Sequence, residues 1–274
     1  MAVPTLSYAG GDDDFGSWLE LGASKNLPYN FSVGAEGELR MQDNSRVVDR
    51  VGVGLNVSYK LNKYLKFRAA YDFMESYSPE KRKEHYKEND DGTPKLDADG
   101  NPIWNGYKMV GNYWSPKHRV SLEATASVKL WKWLRLSLRE RYQYTHRVQT
   151  DYSEEKYRFD RSPNADGTYQ YILKEDYPQT VSDFKPASDD NVLRSRLKLE
   201  VDKKRLDWSP FVSVELHNDL ADAMKVQKVR TCVGTEYKIN RSHSLSLAYV
   251  LTCDLSEEQT ERMHAVSVGY GFEF

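Results

Sequence analysis

The stretch Val51-Gly52-Val53-Gly54-Leu55-Asn56-Val57-Ser58-Tyr59-Lys60-Leu61-Asn62-Lys63-Tyr64-Leu65-Lys66-Phe67-Arg68-Ala69-Ala70-Tyr71-Asp72-Phe73 decides the fold. Val51, Val53, Leu55, Val57, Tyr59 and Leu61 alternate with Gly52, Gly54, Asn56, Ser58 and Lys60. After the turn at Asn62-Lys63, Leu65, Phe67, Ala69, Tyr71 and Phe73 alternate with Lys66, Arg68, Ala70 and Asp72. Successive side chains of a strand point to opposite faces, so a period of two held this long reads as strand, short turn, strand.

The same period recurs outward from here. Val120, Leu122, Ala124, Ala126, Val128 and Leu130 keep it, as do Leu134, Leu136, Leu138, Tyr142 and Tyr144, and later Leu193, Leu197, Leu199 and Val201. Further strands cover roughly 16–25, 30–41, 207–217, 226–238, 243–254 and 261–274, eleven strands with almost no helical period. Short turns near 26–29, 62–63, 131–132, 203–206 and 240–242 take turns with longer connections at 42–49, 77–116, 150–190, 218–225 and 255–260. Short turns at one end and long loops at the other are the pattern of a transmembrane β-barrel.

Composition alone points elsewhere. Of 274 residues 39% are hydrophobic and 29% charged, the average of a soluble chain. No window approaches the roughly 18 apolar residues of a spanning helix, which excludes a helical membrane protein. A net charge of −2 implies no bulk attraction to nucleic acid, and no nucleic-acid partner is expected. The polar parity of the strands, however, carries Arg, Lys and Glu at many positions, too much charge for a soluble core, while the apolar parity forms a continuous belt. Inverting the barrel resolves this, with the apolar face toward lipid and the charged face lining the interior.

The expected fold is therefore an all-β, antiparallel transmembrane β-barrel of about 12 strands, with 10 as the alternative, forming one domain over 1–274. Single-chain bacterial barrels usually have even counts, so residues 3–9 are expected to add a short twelfth strand. Long extracellular loops fall at about 77–116 and 150–190. Aromatic girdles are expected from Tyr59, Tyr64, Trp131, Trp133, Trp208 and Tyr237 on the turn side and Tyr77, Tyr142, Tyr144 and Tyr249 on the loop side. Tyr270, Phe272 and Phe274 alternate back from the last residue and read as the signal by which barrel-assembly machinery recognises a final strand. That machinery and outer-membrane lipid are the expected partners, and the bacterial outer membrane the expected location.

Several short motifs follow one another in a telling order: Asp-Phe-Gly-x-Trp at 14–18, Glu36 to Arg40, Tyr59 to Lys66, Arg139 to Gln143, Leu193 to Leu197, Pro210 to Glu215, and Arg230 to Tyr237. Their arrangement resembles an uncharacterised, domain-of-unknown-function family of outer-membrane β-barrels common in Bacteroidota. The resemblance implies a location and a fold and brings no catalytic residues.

Parity places Glu36, Glu38, Arg40, Arg68, Glu123, Arg139, Arg141, Arg194, Arg196, Glu200, Glu215, Arg230 and Glu236 in the lumen. Buried charges must be paired, so the set reads either as a structural ion-pair network or as a narrow polar pore or small-ligand site. The stripe Arg139, Arg141, Arg194 and Arg196, left unneutralised, would favour anions.

Ser195, His146, His264 and Glu140 fall on the apolar parity, where an outer-membrane lipase would keep a serine and a histidine. Glu140 and His146 are six residues apart, roughly 20 Å along a strand. His264 is several strands away. No nucleophile–base pair is expected within hydrogen-bond reach, and no catalytic residue is assigned. A carboxylate facing lipid is costly, so Glu140 and Ser195 are expected to face a protein partner in the outer membrane.

Asp90-Asp91-Gly92, Asp97-Ala98-Asp99-Gly100 and Asn164-Ala165-Asp166-Gly167 read as turns rather than calcium loops, and neither metal nor cofactor is expected. The loops are rich in aromatics, among them Trp104, Tyr107, Tyr157 and Tyr171, which suit protein or carbohydrate contact or packing among themselves. Cys232 and Cys253 differ in parity, and no disulfide is expected between them. The expected function is a non-enzymatic structural, accessory or binding barrel acting through its extracellular loops and outer wall, as a subunit of a membrane complex. The alternative is a narrow channel or small-ligand or anion uptake barrel using the charged lumen; a lipid-modifying enzyme is disfavoured.

Overall fold

Wherever the period of two is sustained, the chain forms a strand. A computed structural model describes residues 13–97, 99–164, 169–203, 206–256 and 261–274. In chain order the strands are β1 (Asp13–Asn26), β2 (Phe31–Gln42), β3 (Val47–Lys60), β4 (Leu65–Ser78), β5 (Lys81–Tyr86), β6 (Trp104–Val110), β7 (Tyr113–Trp131), β8 (Leu134–Arg147), β9 (Thr150–Pro163), β10 (Tyr169–Leu173), β11 (Gln179–Lys185), β12 (Ser188–Val201), β13 (Trp208–Asp219), β14 (Lys225–Lys238), β15 (His243–Asp254) and β16 (Glu261–Glu273). Among the described residues eleven of them close a barrel in the order β1-β2-β3-β4-β7-β8-β12-β13-β14-β15-β16.

Hairpin partners run antiparallel. The ring closes with β1 parallel to β16, from Asp13↔Arg262 to Ser24↔Glu273. The count is thus eleven where about twelve, or ten, is expected. An even count follows only from closure on an antiparallel pair; a parallel closing pair removes the constraint, and the eleven strands legible in the sequence suffice. The strand expected at residues 3–9 lies outside the described residues.

The chain divides into two compact units. The first holds the barrel strands, up to Ser76 together with Pro116–Arg147 and Ser188–Phe274. It is apolar outside and charged inside: Leu55 and Val53 are 66% and 64% exposed, whereas Glu215 on the opposite parity is 3% exposed. Rings gather near the strand ends, with Phe31 on Tyr59, Trp131 on Trp133 and Trp208 on Tyr237 at the short-turn end. Tyr71 on His118 and Tyr249 on His264 lie toward the other end of their strands. Two short turns share one device: Asn62 Oδ1 accepts from the Tyr64 and Leu65 amides, and Asn240 Oδ1 from the Ser242 and His243 amides.

The second unit, Tyr77–Ser115 with Val148–Ala187, is a sheet built from the two long connections. Its order is β10-β9-β6-β5, with β11 also paired to β9. The strands β5, β6, β9, β10 and β11 occupy segments expected as loops, because their two faces carry similar polarity; Lys81-Arg82-Lys83-Glu84-His85-Tyr86 shows no alternation. An aromatic ladder organises one face: Tyr107 stacks on Tyr157 at 4.6 Å, Trp104 on Phe159 at 5.2 Å, and Tyr171 meets Trp104 edge-on at 4.9 Å. Arg82 covers Tyr107 at 3.9 Å, and Tyr77 packs on Trp114. These rings spend their faces on one another. The Asp97 carboxylate is likewise used by its own turn, accepting from the Asp99 and Asn101 amides. The turn expected at 164–167 lies outside the described residues except for Asn164.

Candidate functional site

The inner wall of the barrel has two parts. Along β1, β16, β15 and β3 most lumen-facing positions are small, among them Gly22, Gly52, Gly54, Ser244, Ser246, Ala248, Ser267, Gly269 and Gly271, with Trp18 and Glu20 of β1 as exceptions. Along β7, β8, β12, β13 and β14 they are long and charged, including Arg119, Arg139, Arg141, Arg194, Arg196, Glu215 and Arg230. Charged side chains from one wall reach toward space the small wall leaves free. The result is a cavity of about 530 Å³ inside the barrel.

Ion pairs run around this wall as a chain. Glu36 accepts from Arg68 at 2.6 Å, and Arg68 reaches on to Glu123 at 3.2 Å. Glu123 also holds Arg141 at 2.5 Å and lies 3.9 Å from Arg139. Arg139 donates to Glu215, which also receives Arg194 at 2.5 Å and His217 at 3.0 Å and lies 3.9 Å from Arg230. Apart from His217, which shares β13 with Glu215, each link joins strands that are neighbours or next but one in the ring, so the chain follows the circumference from β2 to β14. Glu38 holds Arg40 and Arg50, each at 3.0 Å, and Lys198 pairs with Glu200 and with Glu236 at 3.3 Å. Trp18, inward and 7% exposed, lies under two guanidiniums, Arg40 at 4.0 Å and Arg230 at 5.0 Å, contacts worth about 0.5–2 kcal/mol each.

All thirteen residues assigned to the lumen by parity lie on the inner face. Eleven line the cavity, Glu123 is buried in the ion-pair chain, and Glu200 pairs with Lys198. Of the arginine stripe, Arg139, Arg141 and Arg194 are ion-paired with Glu123 and Glu215, two carboxylates they share with Arg68 and Arg230, and Arg196 has no carboxylate partner among the described residues. Five further charged residues belong to the same set: Glu20, Arg50, Asp72, Arg119 and Lys198. The parity that marks their neighbours marks them too. Trp18 needed more than parity, since an inward tryptophan makes sense only with its arginines.

The outer wall requires one correction. Ser195 and Glu140 are direct cross-strand neighbours, and Ser195 Oγ donates to Glu140 Oε2 at 2.6 Å. A hydroxyl and a carboxylate are therefore in reach where none is expected, because the register of β12 on β8 sets the two side chains directly opposite, and alternation alone does not fix a register. Glu140 shares its face with Leu138 and Tyr142, which are outward and exposed. The histidines are engaged elsewhere: His146 Nδ1 meets Asp189 at 2.8 Å, an acceptor shared with the Tyr144 hydroxyl at 2.7 Å, and His264 meets the Tyr249 hydroxyl at 2.5 Å. Cys232, opposite Val250, lines the lumen, while Cys253 lies opposite Val229; both are free thiols.

The model of a family described as "Protein of unknown function (DUF2490)" matches residues 15–260. No curated protein matches the chain. Among solved structures, the translocator domain of the autotransporter NalP from Neisseria meningitidis is similar with a TM-score of 0.51 at 11% identity, over 89% of this chain and 76% of that one. The β domain of the Bordetella autotransporter BrkA gives 0.49 at 10% identity, over 89% and 83%. The NanC porin gives 0.42 at 11% identity, over 95% and 99%. The likeness to the NalP translocator is one of fold, an outer-membrane-type β-barrel.

Proposed function

This chain belongs to the DUF2490 family, and we propose that it is a non-enzymatic β-barrel of the bacterial outer membrane that admits small anions to its lumen and passes them. The observation that carries the reading is the charge of the cavity wall: among the described residues nine basic side chains line it against six acidic ones. In a narrow lumen with low-dielectric walls, fixed positive charge concentrates anions and repels cations. The membrane setting is supported by the exposed apolar belt, the rings at its edges and the inverted burial of charge. Tyr270, Phe272 and Phe274 remain the assigned assembly signal; Phe274 is 69% exposed with its ring edge-on to Phe272.

Reconstitution in planar bilayers tests the reading. Discrete conductance steps are expected, and in a potassium chloride gradient the reversal potential should move toward that of chloride. Silent bilayers, or a cation preference, end it.

A second reading, a subunit of a membrane complex, is favoured by Glu140. Its carboxylate and the Ser195 hydroxyl form a polar spot on an otherwise apolar outer wall. If lipid covers that spot in the isolated barrel, Glu140→Leu is expected to stabilise the purified protein by about 1–2 kcal/mol. In cells the same substitution is expected to remove a stoichiometric partner from gentle-detergent preparations. A destabilised Glu140→Leu barrel would show that the carboxylate serves the wall itself.

A further inference from the structure

We propose that Arg119 and Arg196 are two successive binding stations for small oxyanions, carboxylate- or phosphate-bearing solutes, inside the lumen. The proposal rests on the anion-lumen reading and gives it residues and a ligand class. Every other arginine lining the cavity has a carboxylate oxygen within 4.0 Å. Among the described residues Arg119 and Arg196 have none while lining the cavity; a buried Nε without a hydrogen-bond partner they share with Arg40, Arg139 and Arg141, so the missing carboxylate is what sets them apart.

Their positions follow from the register. Arg119 of β7 lies opposite Thr145 of β8, and Arg196 of β12 lies opposite Arg139 of β8. Six residues of β8 separate the two levels, about 20 Å along the strand. Between them sits the cross-strand pair Arg141↔Arg194, whose guanidiniums are committed to Glu123 and Glu215. Positive charge is therefore continuous along the β7–β8–β12 wall, and only its two ends are uncommitted. A guanidinium is a planar fork that matches two oxygens of a carboxylate or phosphate. Buried without a directly paired carboxylate it is costly, and an entering oxyanion relieves that cost. The cavity of about 530 Å³ suits a single small solute rather than a polymer. Two stations joined by shared charge also allow a bound ion to leave, which one deep site would hinder.

The test uses the intact protein in planar bilayers with chloride carrying the current, titrated with inorganic phosphate and, separately, with acetate. Both oxyanions are expected to reduce the chloride current saturably. Arg119→Gln and Arg196→Gln are each expected to raise the half-blocking phosphate concentration about tenfold, the loss of one charge-assisted contact. Arg119→Lys should recover only part, because an ammonium keeps the charge and loses the fork. The unfolding temperature of the detergent-solubilised protein gives a readout independent of conduction: phosphate should raise it in the wild type and less in each variant. Anion selectivity that persists while block and stabilisation ignore both arginines overturns the stations and leaves the lumen reading standing. No current under any condition overturns passage, whereas phosphate stabilisation that needs both arginines would still support the stations. Block by phosphate alone, or by acetate alone, assigns the solute's anionic group. Oxyanions that act no more strongly than chloride overturn the ligand class.

Discussion

Glu215→Gln will destabilise the barrel by about 3–5 kcal/mol, the cost of leaving buried charges without their partner. The Glu215 side chain is 4% exposed and accepts from Arg139, Arg194 and His217, with Arg230 at 3.9 Å. Glutamine keeps the volume and one acceptor but not the charge. Three guanidiniums would then face each other across a site that water reaches poorly. Denaturant unfolding in detergent micelles should show a lower midpoint with an unchanged slope. Adding Arg139→Met should recover part of the loss, because it removes one of the repelling charges; the coupling expected between contacting residues is about 0.5–3 kcal/mol. A loss below about 1 kcal/mol would mean that solvent, not Glu215, balances the arginines.

The second large effect is expected in the other unit. Gly106 has φ +153°, and a Cβ there would sit 2.0 Å from the Tyr157 carbonyl oxygen. Both the backbone conformation and the close approach of β6 to β9 require glycine. Gly106→Ala should therefore cost about 3–5 kcal/mol, combining backbone strain with a contact that cannot be relieved by moving a side chain. The loss should be local. Hydrogen exchange is expected to rise across β5, β6 and β9, and limited proteolysis to cut within 77–115 and 148–187, while the barrel strands stay protected. Equal protection in Gly106→Ala and wild type would refute the argument.

The barrel was legible because one parity is apolar and the other charged over strands such as Val51–Tyr59 and Leu193–Val201. The same rule places every charge it was applied to, and extends without change to Glu20, Arg50, Asp72, Arg119 and Lys198. Three features were not legible. The expected loop at 150–190 already makes β8 and β12 neighbours, but the register that sets Ser195 beside Glu140, and the sharing of Glu215 by Arg139 and Arg194, do not follow from local pattern. The sheet of the second unit has no sustained alternation, because Lys83, Glu84 and their neighbours are polar on both sides. Which arginines lack a partner depends on distances of a few ångströms between next-but-one strands, and a period of two cannot supply those.

The parallel pairing of β1 with β16 has a consequence for how the chain can be cut and rejoined. In a barrel closed by an antiparallel pair the two chain ends meet at one rim and can be linked by a few residues. Here Asp13 and Phe274 lie at opposite rims, separated by the twelve paired positions of the closing strands, about 40 Å of extended chain. A linker joining them would need at least about 12 fully stretched residues, running down the lipid side or through the lumen. Circular permutation, which re-opens many closed folds with a short linker, would here need one that crosses from rim to rim. Equally, an epitope placed before Asp13 and another after Phe274 would report from the two sides of whatever layer the wall crosses.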